Sequence, residues 1–455
     1  MSVEFNSADK ALASGFGWAK KQALGYAHDG ADPVGPWYEA ALPKREAFCM
    51  RDVSHQCGGA AILGLNALNL NMFRRFVSNI SESRDWCSYW EINRHNLPAP
   101  ADYKSDKDFW YNLNANFDVI QACLKLFEWT NDRTYISAPE FVAFFKNTFD
   151  KYVPHWQLRP SEIMSRPARM HYDPLHDAGR RFKSSRGLPS YTENISNLSL
   201  GVDLVAVAYA ANKAYSRILE IKGDKQGAAG HSAVAEEYRS VLEREWWDGS
   251  KRRYNTALSS DGKFGRGEGV PYILWFGASS DAERIKASVT DIMSYDWNVE
   301  NRSYFPTTFY RLGYDRLAYS QLLRLPAERR CAYPEVSYGW IEGLVRGFMG
   351  IEPLASRKEI RTMYHSVRED ESSVKDMPVW GGTIAVTHRG LNESTLENRT
   401  GHALVWRASF KGAYDTAYVN GRKTAVATAA DFLGKETTCV EVRLQNGQTM
   451  TVKCE

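Results

Sequence analysis

Four short segments set a carboxylate among aromatic and amide side chains: "CMRDVSH" (49–55), "WYNLNANFD" (110–118), "GLPSYTEN" (187–194) and "YPEVSYGW" (333–340), carrying Asp52, Asp118, Glu193 and Glu335. Cleavage of a glycosidic bond needs two carboxyl groups on opposite sides of it, one protonated to help the leaving oxygen and one ionised to activate water. Glu193, beside Tyr191 and after Pro189, is placed where partial desolvation would raise its pKa, which suits the acid. Glu335, behind Tyr333 and Pro334 and ahead of a helix expected to start near Ser337, suits the base. A helix N-terminus stabilises a carboxylate in its charged form. Asp52 is the third catalytic candidate, since an aspartate there reaches vicinal hydroxyls as the neighbouring Arg51 also does.

Holding a sugar takes flat apolar faces next to hydrogen-bonding groups. The 14 Trp, 24 Tyr and 20 Phe make up 13% of the chain, more than core filling requires, and many stand in polar company. "DWCSYWEINRH" (85–95) and "DKDFWYNLNANFD" (106–118) are the clearest cases. Trp90, Trp110, Tyr111, Tyr191, Tyr338 and Trp340 are candidate stacking surfaces, and Glu91, Asn112, Asn116, Asp118 and Glu300 candidate polar contacts. Arg51 or Arg94, with His55 or His95, could steady a uronate carboxylate. Each has a plainer alternative: a ring that seals a loop, an acid that caps a helix, a histidine satisfied in the core.

These segments must be brought together by the elements between them. Residues 196–219 are apolar on nearly every side, whereas 231–247 place Val234, Tyr238, Val241, Leu242 and Trp246 on one stripe with charge opposite. The contrast recurs between 117–129 and 138–150, and more weakly between 54–70 and 72–80. Further helices are expected near 8–27, 269–293, 307–323 and 338–350. Alternating inner and outer helices close into a double ring, and no sequence period points to an open solenoid. The expected fold is therefore mainly α, an (α/α)6 barrel over residues 1–355 whose inner helices gather the polar segments at one mouth. After "GIEPLAS" (350–356) β-branched residues alternate, with Asn420-Gly421 and Asn446-Gly447 at hairpin-turn positions. Residues 356–455 read as an antiparallel β-sandwich that braces the barrel.

Composition removes several classes of function. With 57 basic and 54 acidic residues the net charge is only +3, which offers no field for a phosphate backbone, so nucleic acid is not an expected partner. Seven cysteines without a CxxC argue against both a disulfide framework and a metal centre, and no cofactor motif is present. The first residues lack a signal-peptide pattern, and no stretch approaches 18 uninterrupted apolar residues, so a soluble chain without a membrane span is expected. The expected partner is a carbohydrate; no pattern specifies an oligomer.

The stretches "KREAFCMRDVSHQ", "DWCSYWEINRHNLPAPADY", "FWYNLNANFD" and "SYGWIEGLVRGFMGIEP" resemble the six-hairpin glycosidases, and among them family 154 of the glycoside hydrolases, over roughly residues 35–440. The resemblance implies a β-glucuronidase-like enzyme that removes a terminal sugar, a β-linked glucuronic acid, with inversion. It does not hand over an acid/base pair, so Glu193 and Glu335 rest on position. Three alternatives share the same residues: a polysaccharide lyase with a Tyr or His base, an unsaturated-uronide hydrolase using a single aspartate such as Asp118, and a glycan-binding protein without turnover.

Overall fold

Apolar stripes fold as helices through the first 350 residues and alternating β-branched residues fold as sheets after them; in the computed structural model 43% of the chain is helix and 25% strand. The structure describes residues 3–42, 44–166, 186–193, 195 and 197–455. The helices begin with α1 (Lys10–Gly25), α2 (Met50–Ile62), α3 (Asn66–Val77), α4 (Ala115–Thr130), α5 (Thr134–Ser137), α6 (Pro139–Asn147) and α7 (Val153–His155). They continue with α8 (Val202–Ile221), α9 (Lys225–Val241), α10 (Val270–Trp275), α11 (Ala282–Met293) and α12 (Val299–Ser303). The last three are α13 (Phe305–Arg311), α14 (Asp315–Arg324) and α15 (Pro334–Glu342).

Two kinds of helix are evident. Residues 202–212 of α8 are all buried, while α9 buries only Ala228, Ala235, Tyr238 and Val241 and turns charge to solvent. Contacts pass from α2 to α4, α4 to α8, α8 to α10, α10 to α13, α13 to α15, and from α15 back to α2. Outside them α1 packs on α15, α3 on α2, α9 on α8, α11 on α10 and α14 on α13.

The approach of α15 to α2 depends on glycine. A β-carbon on Gly59 would stand 2.2 Å from the Tyr338 carbonyl oxygen, and one on Gly58 2.3 Å from Glu342 Oε2. The Gly-Gly pair thus lets two backbones meet, and the first turns of both helices come side by side.

Several boundaries differ from expectation. The helix expected over 54–70 starts at Met50 and stops at Ile62, so Arg51, Asp52 and His55 are helical rather than ahead of the helix. Glu335 likewise lies in the first turn of α15, because Pro334 is pre-organised for a helix start. The stretch 196–219 opens as strand (Leu198–Gly201) before α8, with Ser196 outside the described residues. Expected helices over 269–293 and 307–323 are each broken in two at a glycine of positive φ, Gly277 (63°) and Gly313 (80°).

The C-terminal region holds two sheets. One runs Glu4–Ser7, Glu371–Val379, Gly382–Arg389, Glu393–Arg399, Thr449–Cys454, Ala417–Val419, Arg422–Thr424 in spatial order. The other runs Glu352–Leu354, Glu359–Met363, Leu404–Lys411, Glu436–Leu444, Ala427–Ala430. Pairing in both is antiparallel except between Glu359–Met363 and Leu404–Lys411, which is parallel. A strand from the N-terminus thus edges the first sheet, an element too short to register in the hydrophobic pattern. Asn420-Gly421 forms the expected hairpin, both residues at positive φ. Asn446-Gly447 does not: it joins strands of different sheets.

Candidate active site

One cavity of about 440 Å³ opens where the N-terminal ends of α2, α12 and α15 meet the loops before α8 and α10. The strand Ala47–Cys49 pairs with Glu91–Asn93, and the Met50 N–H donates to the Trp90 carbonyl at 2.8 Å, which sets Arg51, Asp52 and His55 opposite Trp90. The loop bearing Tyr191 and Glu193 is pinned from α8. Asp203 accepts from Ser190 Oγ (2.7 Å), the Tyr191 N–H (2.6 Å) and Asn114 Nδ2 (2.9 Å). Burial pushes the Asp203 carboxyl up to about 6, with those three hydrogen bonds restraining it.

Of the expected residues, Arg51, Asp52, His55, Trp90, Trp110, Tyr191, Glu193, Glu300 and Glu335 line this cavity. Arg51 joins two of the acids, its Nε 3.3 Å from Asp52 Oδ1 and its Nη1 donating to Glu193 Oε1 at 3.3 Å. Its guanidinium lies over Trp90 and Tyr191, 5.4 and 5.9 Å from the ring centres. Glu335 is buried and accepts from the Tyr304 hydroxyl at 2.5 Å. Burial first, and then the Asp52 carboxylate, push the Glu335 carboxyl well above the ordinary range. The side chain of Glu193 is one-third exposed at the rim; desolvation raises it while the Arg51 charge holds it back. Glu300 pairs with Arg330 at 3.0 Å. Burial thus works on Glu335 against the charge preference of a helix N-terminus, and desolvation raises Glu193 as well.

The other expected residues stand elsewhere. Asp118 is one layer beneath the cavity, its Oδ1 3.3 Å from His55 Nε2 and accepting from the Tyr191 hydroxyl at 2.6 Å. Tyr111, Asn112 and Asn116 are buried structural groups, Tyr111 donating to Asn116 at 2.6 Å and Asn112 donating to the Ser190 carbonyl. Glu91 lies below the floor with Arg45 and Asp102; burial and its contact with Asp102 push it up to about 10. Arg94 pairs with Asp32 and Glu46 at the surface, and His95 is exposed. Tyr338 and Trp340 point into the helix packing, donating to the Ala23 and Leu322 carbonyls at 2.9 Å.

The cavity also contains residues that were not among the candidates: Arg45, Asp102, Glu268, Tyr272, Asn298, Asn301, Tyr304, Arg330 and Tyr333. Glu268 accepts from Asn301 Nδ2 at 3.1 Å, and desolvation raises it against that bond. Tyr304 and Trp275 are stacked with centres 4.4 Å apart, and Trp275 meets the edge of His55 at 4.5 Å. Asn298, Asn301 and Tyr304 flank the expected Glu300 in the chain, and Tyr333 stands two residues before Glu335.

No family model matches the chain, and no curated protein does. Solved structures do. The α-L-rhamnosidase from Dictyoglumus thermophilum superposes with a TM-score of 0.65 at 12% identity, over 100% of this chain and 50% of its own. They share a fold. A family 78 rhamnosidase from Bacillus gives 0.58 at 12% identity, over 88% of this chain and 41% of its own. A metal-independent α-mannosidase from Streptococcus pneumoniae gives 0.53 at 10% identity, over 74% of this chain and 95% of its own. The chain spans about half the length of the two rhamnosidases.

Proposed function

We propose that the protein is a glycoside hydrolase that cleaves a sugar seated at one mouth of a closed (α/α)6 ring, with Glu335 as general acid and Glu193 as general base. The observation that carries this reading is the meeting of Glu193 and Glu335, from distant parts of the chain, in one aromatic-walled cavity with Asp52. The circuit of contacts through α2, α4, α8, α10, α13 and α15 supports the ring, as does the fold shared with rhamnosidases and a mannosidase. Glu335, kept protonated by burial, donates to the leaving oxygen; Glu193, beside Arg51 and reached by solvent, takes a proton from water. Trp90, Trp110, Tyr272 and Tyr333 supply stacking faces.

The charge of the cavity favours a neutral sugar over the glucuronic acid that the family resemblance implies. Among the described lining residues Asp52, Asp102, Glu193, Glu268 and Glu300, with Glu335 neutral as the acid, face Arg45, Arg51 and Arg330, and each arginine already touches an acid. A uronate would enter a field of its own sign.

A panel of aryl rhamnosides, mannosides and glucuronides, followed by proton NMR, tests activity, sugar and anomer together. Turnover of a neutral glycoside with inversion is expected, falling by about 10²–10⁴-fold in Glu193→Gln and Glu335→Gln. Full turnover in both variants overturns the assignment, and preference for the glucuronide overturns the sugar class.

A further inference from the structure

From the cavity wall inward a chain of hydrogen-bonding groups runs from Glu335 through the Tyr304 hydroxyl (2.5 Å) to His55 Nδ1 (3.3 Å), and from His55 Nε2 to the deeper Asp118 Oδ1 (3.3 Å). From its juxtaposition with this chain we propose that Asp118 is a buried proton store that reloads Glu335 through His55 and Tyr304. The inference rests on the reading of Glu335 as the acid.

Three observations point the same way. Every member is buried, so solvent does not interrupt the chain. Asp118 Oδ2 has no hydrogen-bond partner among the described residues, so Oδ1, which meets His55 Nε2 and the Tyr191 hydroxyl, is the oxygen through which Asp118 exchanges a proton with them. Tyr191, whose hydroxyl donates to Asp118 at 2.6 Å, stabilises a carboxylate there once the proton has gone. The two 3.3 Å separations are of the kind that tighten when substrate closes a site.

The protons balance. At the start Asp118 is protonated and donates to His55 Nε2, His55 Nδ1–H donates to Tyr304, Tyr304 donates to Glu335 Oε1, and Glu335 Oε2–H faces the leaving oxygen. As the Oε2 proton leaves, the Tyr304 proton moves to Oε1, the His55 Nδ1 proton to Tyr304, and the Asp118 proton to His55 Nε2. Glu335 is again an acid, His55 is neutral at both ends of the step, and the negative charge has moved from the cavity to Asp118. That displacement takes it away from Asp52, which faces Glu335 from α2 together with Arg51; Glu300 faces it from α12, Tyr272 from α10 and Tyr333 from the start of α15. Asp118 itself is faced by Tyr191, Arg51 and, deeper on α4, Lys125; His55 also feels Glu342 of α15. Burial and the Arg51 charge depress His55 well below its ordinary value, which fits a neutral relay.

The test compares phenyl and 2,4-dinitrophenyl glycosides of the sugar turned over in the panel, since only the phenyl leaving group needs an acid. Asp118→Asn should slow phenyl glycoside cleavage about 10²-fold while leaving the dinitrophenyl rate within about threefold. Tyr304→Phe, which keeps the ring stacked on Trp275, should do the same. A proton inventory of kcat in mixed light and heavy water should be curved for the wild type, from several protons in flight, and linear in both variants. Equal losses on the two substrates, or a curved inventory that persists in both variants, overturns the relay. Glu335→Gln is read separately: if it spares the phenyl glycoside, the acid assignment fails and the relay with it, whereas selective loss in Glu335→Gln without selective loss in Asp118→Asn overturns the relay alone.

Discussion

The two ends of the inner helices hold cavities of similar size and opposite charge. At the N-terminal ends, Asp52, Glu300 and Glu335 come from first helical turns and, with Asp102, Glu193 and Glu268, face three arginines across about 440 Å³. Toward the C-terminal ends of α4 and α8, Lys125, Lys213, Arg217, Arg346, Arg357 and Arg361 surround about 460 Å³ that Glu128 and Glu352 also line. The helix dipole favours this division, acids where backbone N–H groups point and cations where carbonyls do. The difference lies in what the charges do. Lys125 and Arg346 share the buried Glu342 (3.5 and 2.8 Å), Lys213 pairs with Glu236, Arg217 with Glu220 and Arg361 with Glu359. Among the described residues the far lysines and arginines are tied largely into ion pairs with acids around the cavity, whereas the near lining sets six acids against three arginines.

Breaking the far cluster should cost stability and not chemistry. Glu342→Gln removes the shared partner of two half-buried cations and is expected to destabilise by about 1–3 kcal/mol in denaturant unfolding, with turnover per folded molecule unchanged. Burial opposes ionisation of Glu342, yet Lys125 and Arg346 hold its carboxyl below the ordinary range. Its contribution is therefore complete above the unfolded pKa and is lost as pH falls through the folded one, so wild type and variant should converge in stability in acid.

Gly59→Ala, in the contact that joins the two ends, should cost about 1–3 kcal/mol, since the backbone of Tyr338 must retreat. Unlike Glu342→Gln it should also lower kcat, because α15 carries Glu335. At the near end, Asp52→Asn removes a charge that raises Glu335, so the alkaline limb of the pH–rate profile should move toward lower pH. An unmoved limb would separate Asp52 from the acid. The smallest effect is expected for Arg94→Ala, whose surface pairs with Asp32 and Glu46 lie outside both cavities; unfolding midpoint and turnover should match the wild type.

Much of this was legible in the residues. The contrast between α8 and α9 follows from stripe width alone, and the gathering of Asp52, Tyr191, Glu193 and Glu335 followed from their places ahead of or at the front of apolar helices. Other readings failed for definable reasons. Tyr338 shares a segment with Glu335 but sits nearly one turn deeper, where α1 rather than the cavity meets it. Arg94 and His95 stand near Trp90 in sequence, yet the pairing of Glu91–Asn93 with Ala47–Cys49 carries the chain past the rim to the surface. Glu268 and Tyr304 lie just ahead of α10 and α13, outside the segments expected as helices, so nothing marked them as facing a hollow.

The sequence by itself determined where helices and strands form, and which acids stand at helix starts, because periodicity, proline and glycine act over a few residues. Only the tertiary structure decided that Glu335 is buried beside the Asp52 carboxylate while Glu193 stays at the rim. That placement arises from the backbone contact of α2 with α15, elements separated by most of the chain.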